Sequence, residues 1–477
     1  MFGVISRKIS IFFLSVIIAA LPVILHAETY YVAPGGVDGN PGTLEAPFAT
    51  IQRAHDNEAL QPGDVIYLRG GTYYPTTQTI FNKVGASNDY FVLRSYPGEV
   101  PVIDGKNIPE GDTDATSTPT WVFKNAAYWT IQGPIHLTNG RGAGVFIEDS
   151  QFLEFDLVES SYNGQRAARA GHGFFIYSSA TNNILFKNCD SHHNANHLWK
   201  SGEDQLVNQY QHGDGWRIFE GTNIRLVGCR AWHNLDDGYD FTQAESSVEM
   251  IECWAAYSGV DDAAGSITGT PNKPMPRWEG DGIKLGYEND TGKHRAIRCL
   301  SWNNQCHGWT VRGGPYEIDN SAAYNNAEEA FSGITNASNQ RRNTYGFRNR
   351  SGDGGGADGY CGVSVAEADF TSLDDAGMLG PRRADGGLPE LDFLKPAQGS
   401  ELVDTGVDVG ISFEGSAPDI GPFEYTSAPG DDGSDGDDDG GDNGDGSDDG
   451  DSEEGGNDNS SSGGGCFIDS FHLGPIF

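Results

Sequence analysis

Between about residues 91 and 331, short apolar or aromatic runs alternate with turns rich in Gly and Asn. Alternation at a period of two predicts short half-buried β-strands, and no stretch there carries the 3.6-residue periodicity of an amphipathic helix. The pattern also repeats. Asn188-Cys189-Asp190-Ser191-His192-His193-Asn194 matches Gly228-Cys229-Arg230-Ala231-Trp232-His233-Asn234, and Glu252-Cys253-Trp254-Ala255-Ala256-Tyr257-Ser258 follows. Arg298-Cys299-Leu300-Ser301-Trp302-Asn303-Asn304 and the stretch from Asp319 to Asn326 continue it, with a period of 21 to 24 residues where the spacing is uninterrupted. Units of that size bury their apolar face only by stacking, so the pattern predicts an all-β solenoid. The longer gaps, 40 residues before Cys229 and 46 before Cys299, equal two coils or one coil with an insertion. A recurring Asn at 194, 234, 304 and 325 predicts an amide ladder that satisfies turn backbone. Cys189, Cys229, Cys253 and Cys299 predict a column of small buried side chains, as thiols or as bridged neighbours.

The flanks differ in character. Residues 1–27 read as a secretory signal peptide: Arg7 and Lys8 precede an apolar core, and Leu25-His26-Ala27 ends on a small residue. The apolar run is short for a membrane span. Export predicts a secreted protein in a compartment that permits disulfides. The next segment carries Tyr31-Val32, Pro47-Phe48-Ala49-Thr50-Ile51-Gln52 and Gly70-Gly71-Thr72-Tyr73. It resembles the N-terminal cap of secreted right-handed parallel β-helix proteins, in which a short helix plugs the first coil. Ala417-Pro418-Asp419-Ile420-Gly421-Pro422-Phe423-Glu424 resembles the ending of such enzymes, which implies one domain over residues 28–425. Residues 426–465 are an acidic Asp/Gly/Ser linker without core formers. It lacks the spacing and final Glu of an EF-hand. Residues 466–477 are a short apolar tail opened by a lone Cys466, which fits a cell-surface attachment signal or an untidy terminus.

Charge narrows the function. The formal net charge of the 477-residue chain is −38, and fourteen of its acids lie between Asp431 and Asp458. So acidic a chain excludes nucleic acid as a partner, because that binding needs basic patches. An acidic polysaccharide would be repelled too unless a cation stood between. Seven cysteines are too few for a disulfide scaffold in a chain this long, and no CxxC zinc spacing appears. Cys306 and Cys361 complete the set with no assigned pairing.

The chemistry concentrates between Gly213 and Gly286. Asp236, Asp237 and Asp240 lie within five residues around a Gly turn, and Asp214 precedes Asp236 by 22 residues, about one coil. Stacked at the inter-strand spacing of about 4.8 Å, four carboxylates would repel one another strongly without a cation. Calcium takes six to eight oxygens, several from carboxylates, and fits this set. Lys284, between Ile283 and Leu285, points outward if those two fill the core, two coils below the acids if residues 259–279 are an insertion. Calcium and partial burial would lower its pKa toward a neutral amine.

Together, Gly213-Asp214-Gly215, Asp236-Asp237-Gly238-Tyr239-Asp240 and Gly282-Ile283-Lys284-Leu285-Gly286 resemble the motifs of polysaccharide lyase family 9, calcium-dependent pectate lyases and relatives on a right-handed parallel β-helix. The resemblance implies Asp214, Asp236, Asp237 and Asp240 as calcium ligands and Lys284 as Brønsted base. The implied reaction is β-elimination on pectate, polygalacturonate or a related uronan, by a monomer with an alkaline optimum. Arg217, Arg277 and Arg312 are candidates for further substrate carboxylates. The run from Cys306 to Arg312 departs from the more polar sequence that relatives carry there. A polygalacturonase-like hydrolase, which needs paired carboxylates, fits worse: its Asp pair precedes a Gly-His-Gly, whereas here Gly171-His172-Gly173 comes first. A non-enzymatic β-helix adhesin or glycan-binding protein, and a uronan epimerase, remain as alternatives.

Overall fold

The structure is a computed structural model that describes residues 27–109, 118–164, 171–195, 213–241, 247–260, 280–286, 292–333, 339–350 and 364–426. Residues 1–26 and 427–477, which hold nearly all of the expected signal peptide, linker and tail, lie outside that set, as do Arg277, Cys361 and Cys466.

The chain coils into three stacked columns of parallel strands. One column is a nine-stranded sheet among the described residues, in strict chain order from Thr79–Phe81 through Trp121–Lys124, Val145–Glu148, Phe174–Tyr177, Trp216–Ile218, Tyr239–Phe241, Ile283–Leu285 and Trp309–Val311 to Phe331–Ser332. The other two columns join into one sheet because the long strands Ala127–Thr138 and Gln151–Ser161 run from one face into the next. They bend where the register shifts between Asp156 and Val158. This is the parallel β-helix that the repeat predicts. Both long gaps resolve as single coils: Asp190 pairs directly with Arg230, and Trp254 with Leu300.

Alternation explains the core. In the nine-stranded sheet the register stacks Trp121, Val145, Phe174, Trp216, Tyr239, Ile283, Trp309 and Phe331 inward, and all are buried. Rings lie face to face between coils, with centroids 4.8 Å apart for Phe174–Trp216 and 5.0 Å for Trp216–Tyr239. Each such ring removes on the order of 150–250 Å² from water. At the open N-terminal end the helix Ile51–His55 forms behind an N-cap, where the Thr50 hydroxyl accepts from the Arg53 amide. Ile51 and Ala54 are buried, and the His55 ring stacks on Trp129. The helix plugs the first coil, as the opening residues imply.

The cysteines among the described residues are free thiols. Cys189, Cys229, Cys253 and Cys299 are all buried and none is bridged. Cys229 and Cys253 donate to carbonyls of the coil before, Phe186 and Leu226.

The amide ladder exists with one residue shifted. Side-chain amides donate from Asn163 to Asn194, Asn194 to Asn234, Asn304 to Asn326 and Asn326 to Asn349, each at 2.9 Å. Asn326, not Asn325, occupies the ladder. Asn325 takes the left-handed corner (φ 52°) beside Asn303 (φ 55°), where its amide donates to Asn303. Ser258 fills the coil between Asn234 and Asn304. Replacing Asn194 by alanine would take the Asn194 Oδ1 acceptor from both the backbone and side-chain amides of Asn163, and would leave the Asn234 side-chain oxygen with only the backbone amide of residue 194. That should cost about 3 kcal/mol in urea unfolding; a loss under ~0.5 kcal/mol would remove the ladder from the list of stabilising elements.

The C-terminal segment folds back along the helix. Phe370, Met378, Phe393, Leu402 and Ile420 pack against Trp254, Trp302, Tyr324 and Tyr345. Arg230 and Arg382 both bind Asp190, and Arg230 also donates to the Met378 and Gly380 carbonyls.

Candidate active site

Six successive strands of the nine-stranded sheet, from Val145–Glu148 to Trp309–Val311, follow a turn of form X-Gly. The turns stack in one column: His172-Gly173, Asp214-Gly215, Asp237-Gly238, Asp281-Gly282 and His307-Gly308, with each glycine amide donating to the X carbonyl of the next coil. The glycines are dictated by crowding, since a Cβ on Gly238 would stand 2.6 Å from the Gly282 carbonyl oxygen. The X side chains form a second ladder. The Asp214 amide donates to His172 Nδ1 (3.3 Å), the Asp237 amide to Asp214 Oδ1 (3.1 Å), the Asp281 amide to Asp237 Oδ1 (2.9 Å) and the His307 amide to Asp281 Oδ1 (3.0 Å). Buried acids are thereby held at fixed spacing by backbone rather than by flexible contacts.

Beside this column runs the outward row of the strands. Its register is Phe175, Arg217, Asp240, Lys284, Thr310 and Ser332. Lys284 is therefore outward, as expected from Ile283 and Leu285, which are buried. It lies one coil from Asp240, not two. Its side chain keeps 22% of its surface exposed, and Nζ donates to Asp237 Oδ2 at 2.5 Å.

Of the four predicted ligands, Asp214, Asp236 and Asp237 converge: each offers an oxygen, and all three oxygens lie within 4.8 Å of one another. All three residues are buried. Asp240 is also buried but is held by Arg217, which reaches Asp214 as well (3.6 Å). Arg217 thus sits inside the acidic cluster. Arg312 is exposed one residue past Trp309–Val311, and Arg277 lies outside the described residues. The donor set of hard carboxylate oxygens, confined and close, suits calcium.

Electrostatics agree with that fit. Burial, then the carboxylates of Asp281, Asp240 and Asp214, push Asp237 well up against the pull of Lys284. Burial lowers the Lys284 ammonium, but Asp237, Asp240, Asp281 and Asp236 outweigh it and hold the pKa well above the ordinary lysine value. A lysine lowered toward neutrality is thus the opposite of what these acids impose by themselves, because each uncompensated carboxylate stabilises the ammonium.

Asp281 was not assigned from sequence. It differs from the other acids: His307 N–H and the His307 ring engage Oδ1, and Thr310 Oγ1 donates to Oδ2 at 2.6 Å. The signal lay in the recurrence of X-Gly before six successive strands, which also places Gly171-His172-Gly173 in the column rather than in a hydrolase motif.

Comparison with known proteins agrees with this layout. Residues 30–361 match the family described as "Pel9A-like, right handed beta helix region". Pectate lyase PEL9 of Emericella nidulans is 29% identical over 416 residues, 80% of this chain and 96% of that protein. Pectate lyase L of Dickeya dadantii is 27% identical over 415 residues, 83% and 90%. The crystal structure of pectate lyase Pel9A superposes with a TM-score of 0.66 at 25% identity, covering 84% of this chain and 96% of that one. The match spans most of the coil, the acidic column and Lys284, and the chain belongs to the Pel9A-like right-handed β-helix family, polysaccharide lyase family 9.

Proposed function

We propose that this chain is a secreted, calcium-dependent lyase that cleaves pectate, or a related uronan, by β-elimination. The observation that carries the reading is Lys284 on the outward row, in contact with one of three converging buried carboxylates. Asp214, Asp236 and Asp237 would hold the calcium, with Asp240 the fourth candidate. Bound there, calcium would counter the charge that develops on a uronate carboxylate as the proton on carbon 5 leaves.

The protein's own residues supply the rest. Lys284 takes the carbon-5 proton and must be neutral to do so. In the cation-free protein the acids keep it protonated. Any charge that offsets those carboxylates lowers its pKa, and the rate should climb through neutrality to an alkaline optimum. Arg217 serves as a charge partner of Asp214 and Asp240 in this reading, which is a change from a free substrate arginine. Arg312 and Arg277 are the candidates for carboxylates further along the polymer. Residues 1–27 would direct export, residues 28–425 carry the reaction as a monomer, and the linker and tail allow cell-surface attachment.

The test is ultraviolet absorbance of the unsaturated sugar end released from polygalacturonate at alkaline pH, with calcium and with chelator. Absorbance that grows with calcium and stops with chelator is expected. Reducing ends without absorbance would mean hydrolysis, and binding without any product would favour the adhesin.

A further inference from the structure

We propose that His307 is the general acid of this site, donating its Nε2 proton to the glycosidic oxygen that leaves carbon 4, and that Asp281 is its positioning residue. The inference rests on the lyase reading and adds a residue to it.

Asp281 is unlike the three converging acids. Its Oδ1 accepts the His307 backbone amide at 3.0 Å and faces His307 Nδ1 at 2.9 Å, while its Oδ2 accepts from Thr310 Oγ1 at 2.6 Å. Both oxygens are engaged by protein donors, so Asp281 is committed to orienting a ring rather than to holding a cation. A carboxylate on Nδ1 fixes the hydrogen there and directs the imidazole's chemistry to Nε2. No hydrogen bond of Nε2 occurs among the described residues, and the ring keeps 29% of its surface exposed. The dyad is therefore built on one side and open on the other.

Its place in the column gives it a task. Asp214 and Asp237 lie on the coils before Lys284, and His307 lies on the coil after it. In a uronate, carbon 5 is bonded to both the carboxyl carbon and carbon 4. A sugar with its carboxylate at the acidic triad and its carbon-5 hydrogen at Lys284 can extend carbon 4 toward His307. The groups facing the ring are Asp281 from the coil before and Glu328 and Glu329 from the coil after. Burial lowers the imidazolium, but these three carboxylates outweigh it and raise its pKa. They also disfavour a second substrate carboxylate there, so the fitting ligand atom is an uncharged oxygen that gains charge as its bond breaks.

The step balances. Lys284 removes the carbon-5 proton, and that electron pair forms the double bond to carbon 4. The bond from carbon 4 to oxygen breaks with its pair on oxygen, and the oxygen takes the Nε2 proton. Solvent then carries the proton gained by Lys284 back to His307.

The experiment compares wild type, His307→Gln, Asp281→Asn and Lys284→Ala on polygalacturonate and on a uronide with an aryloxy leaving group at carbon 4. An aryloxide departs without an acid. His307→Gln should lose about 100-fold in kcat on the polymer, with KM within a few-fold, and should recover to near wild type on the aryl uronide. Asp281→Asn should lose less, and the high-pH limb of its kcat profile should move to lower pH, because the imidazolium has lost the partner that retains its proton. Lys284→Ala should lose about 10³-fold in kcat on both substrates. Equal losses on both substrates, a change in KM alone, or full activity of His307→Gln on the polymer would each overturn the assignment. Wild type without unsaturated product on either substrate would instead overturn the lyase reading itself. Matching thermal unfolding of the variants separates either outcome from misfolding.

Discussion

Lys284→Ala is expected to lower kcat on polygalacturonate by about 10³-fold, within the range by which a positioned base accelerates proton transfer, while KM moves only a few-fold. The residue stands on the outward row between Asp240 and Thr310, with its ammonium on Asp237. Nothing else on that row among the described residues can accept a proton at neutral to alkaline pH except Asp240, which Arg217 holds. A structural consequence should accompany the loss. Without Lys284, Asp237 keeps its buried neighbours but loses a cation that offsets them, so the chelated variant should unfold at lower temperature than chelated wild type. Calcium should narrow that gap. Stopped-flow absorbance gives the first result and calorimetry the second. A variant that keeps a tenth of the wild-type kcat would remove Lys284 as the base.

Asp237→Asn is expected to abolish calcium-dependent stabilisation. Wild type at calcium one hundred times its dissociation constant should gain about 2.7 kcal/mol by mass action. Asparagine keeps an oxygen for the Asp281 amide, which now donates to Asp237 Oδ1 at 2.9 Å, so the backbone ladder should survive. What is lost is charge at the centre of the triad. The unfolding temperature of the variant should therefore stay the same with calcium or chelator, and elimination should fall by at least about 100-fold. A calcium-dependent rise equal to wild type would place the ion elsewhere.

The fold was legible because a solenoid writes its period into the chain. The Cys column and the stacked aromatic residues recur at coil length, and the coil fits no other burial scheme. Insertions hid the rest. A gap of 40 or 46 residues reads equally as one coil or two, so sequence spacing alone puts Lys284 two coils from the acids, whereas the register pairs it directly with Asp240. Asn325 and Asn326 are adjacent amides, and only the left-handed backbone at Asn325 decides which of them enters the ladder. The three converging acids were visible as a cluster, but Asp281 and His307 were not, because neither belongs to a recognisable motif alone. They emerge from the alignment of X-Gly turns, which depends on knowing the register. The clamp of Arg230 and Arg382 on Asp190 joins residues 192 positions apart, beyond the reach of any periodicity.

The most direct test of the site is a crystal structure of Lys284→Ala with calcium and an oligogalacturonate. The account predicts calcium held by Asp214, Asp236 and Asp237, a uronate carboxylate on that calcium, and carbon 5 facing position 284. Calcium bound away from this triad, or the sugar chain lying on another face of the coil, would contradict it.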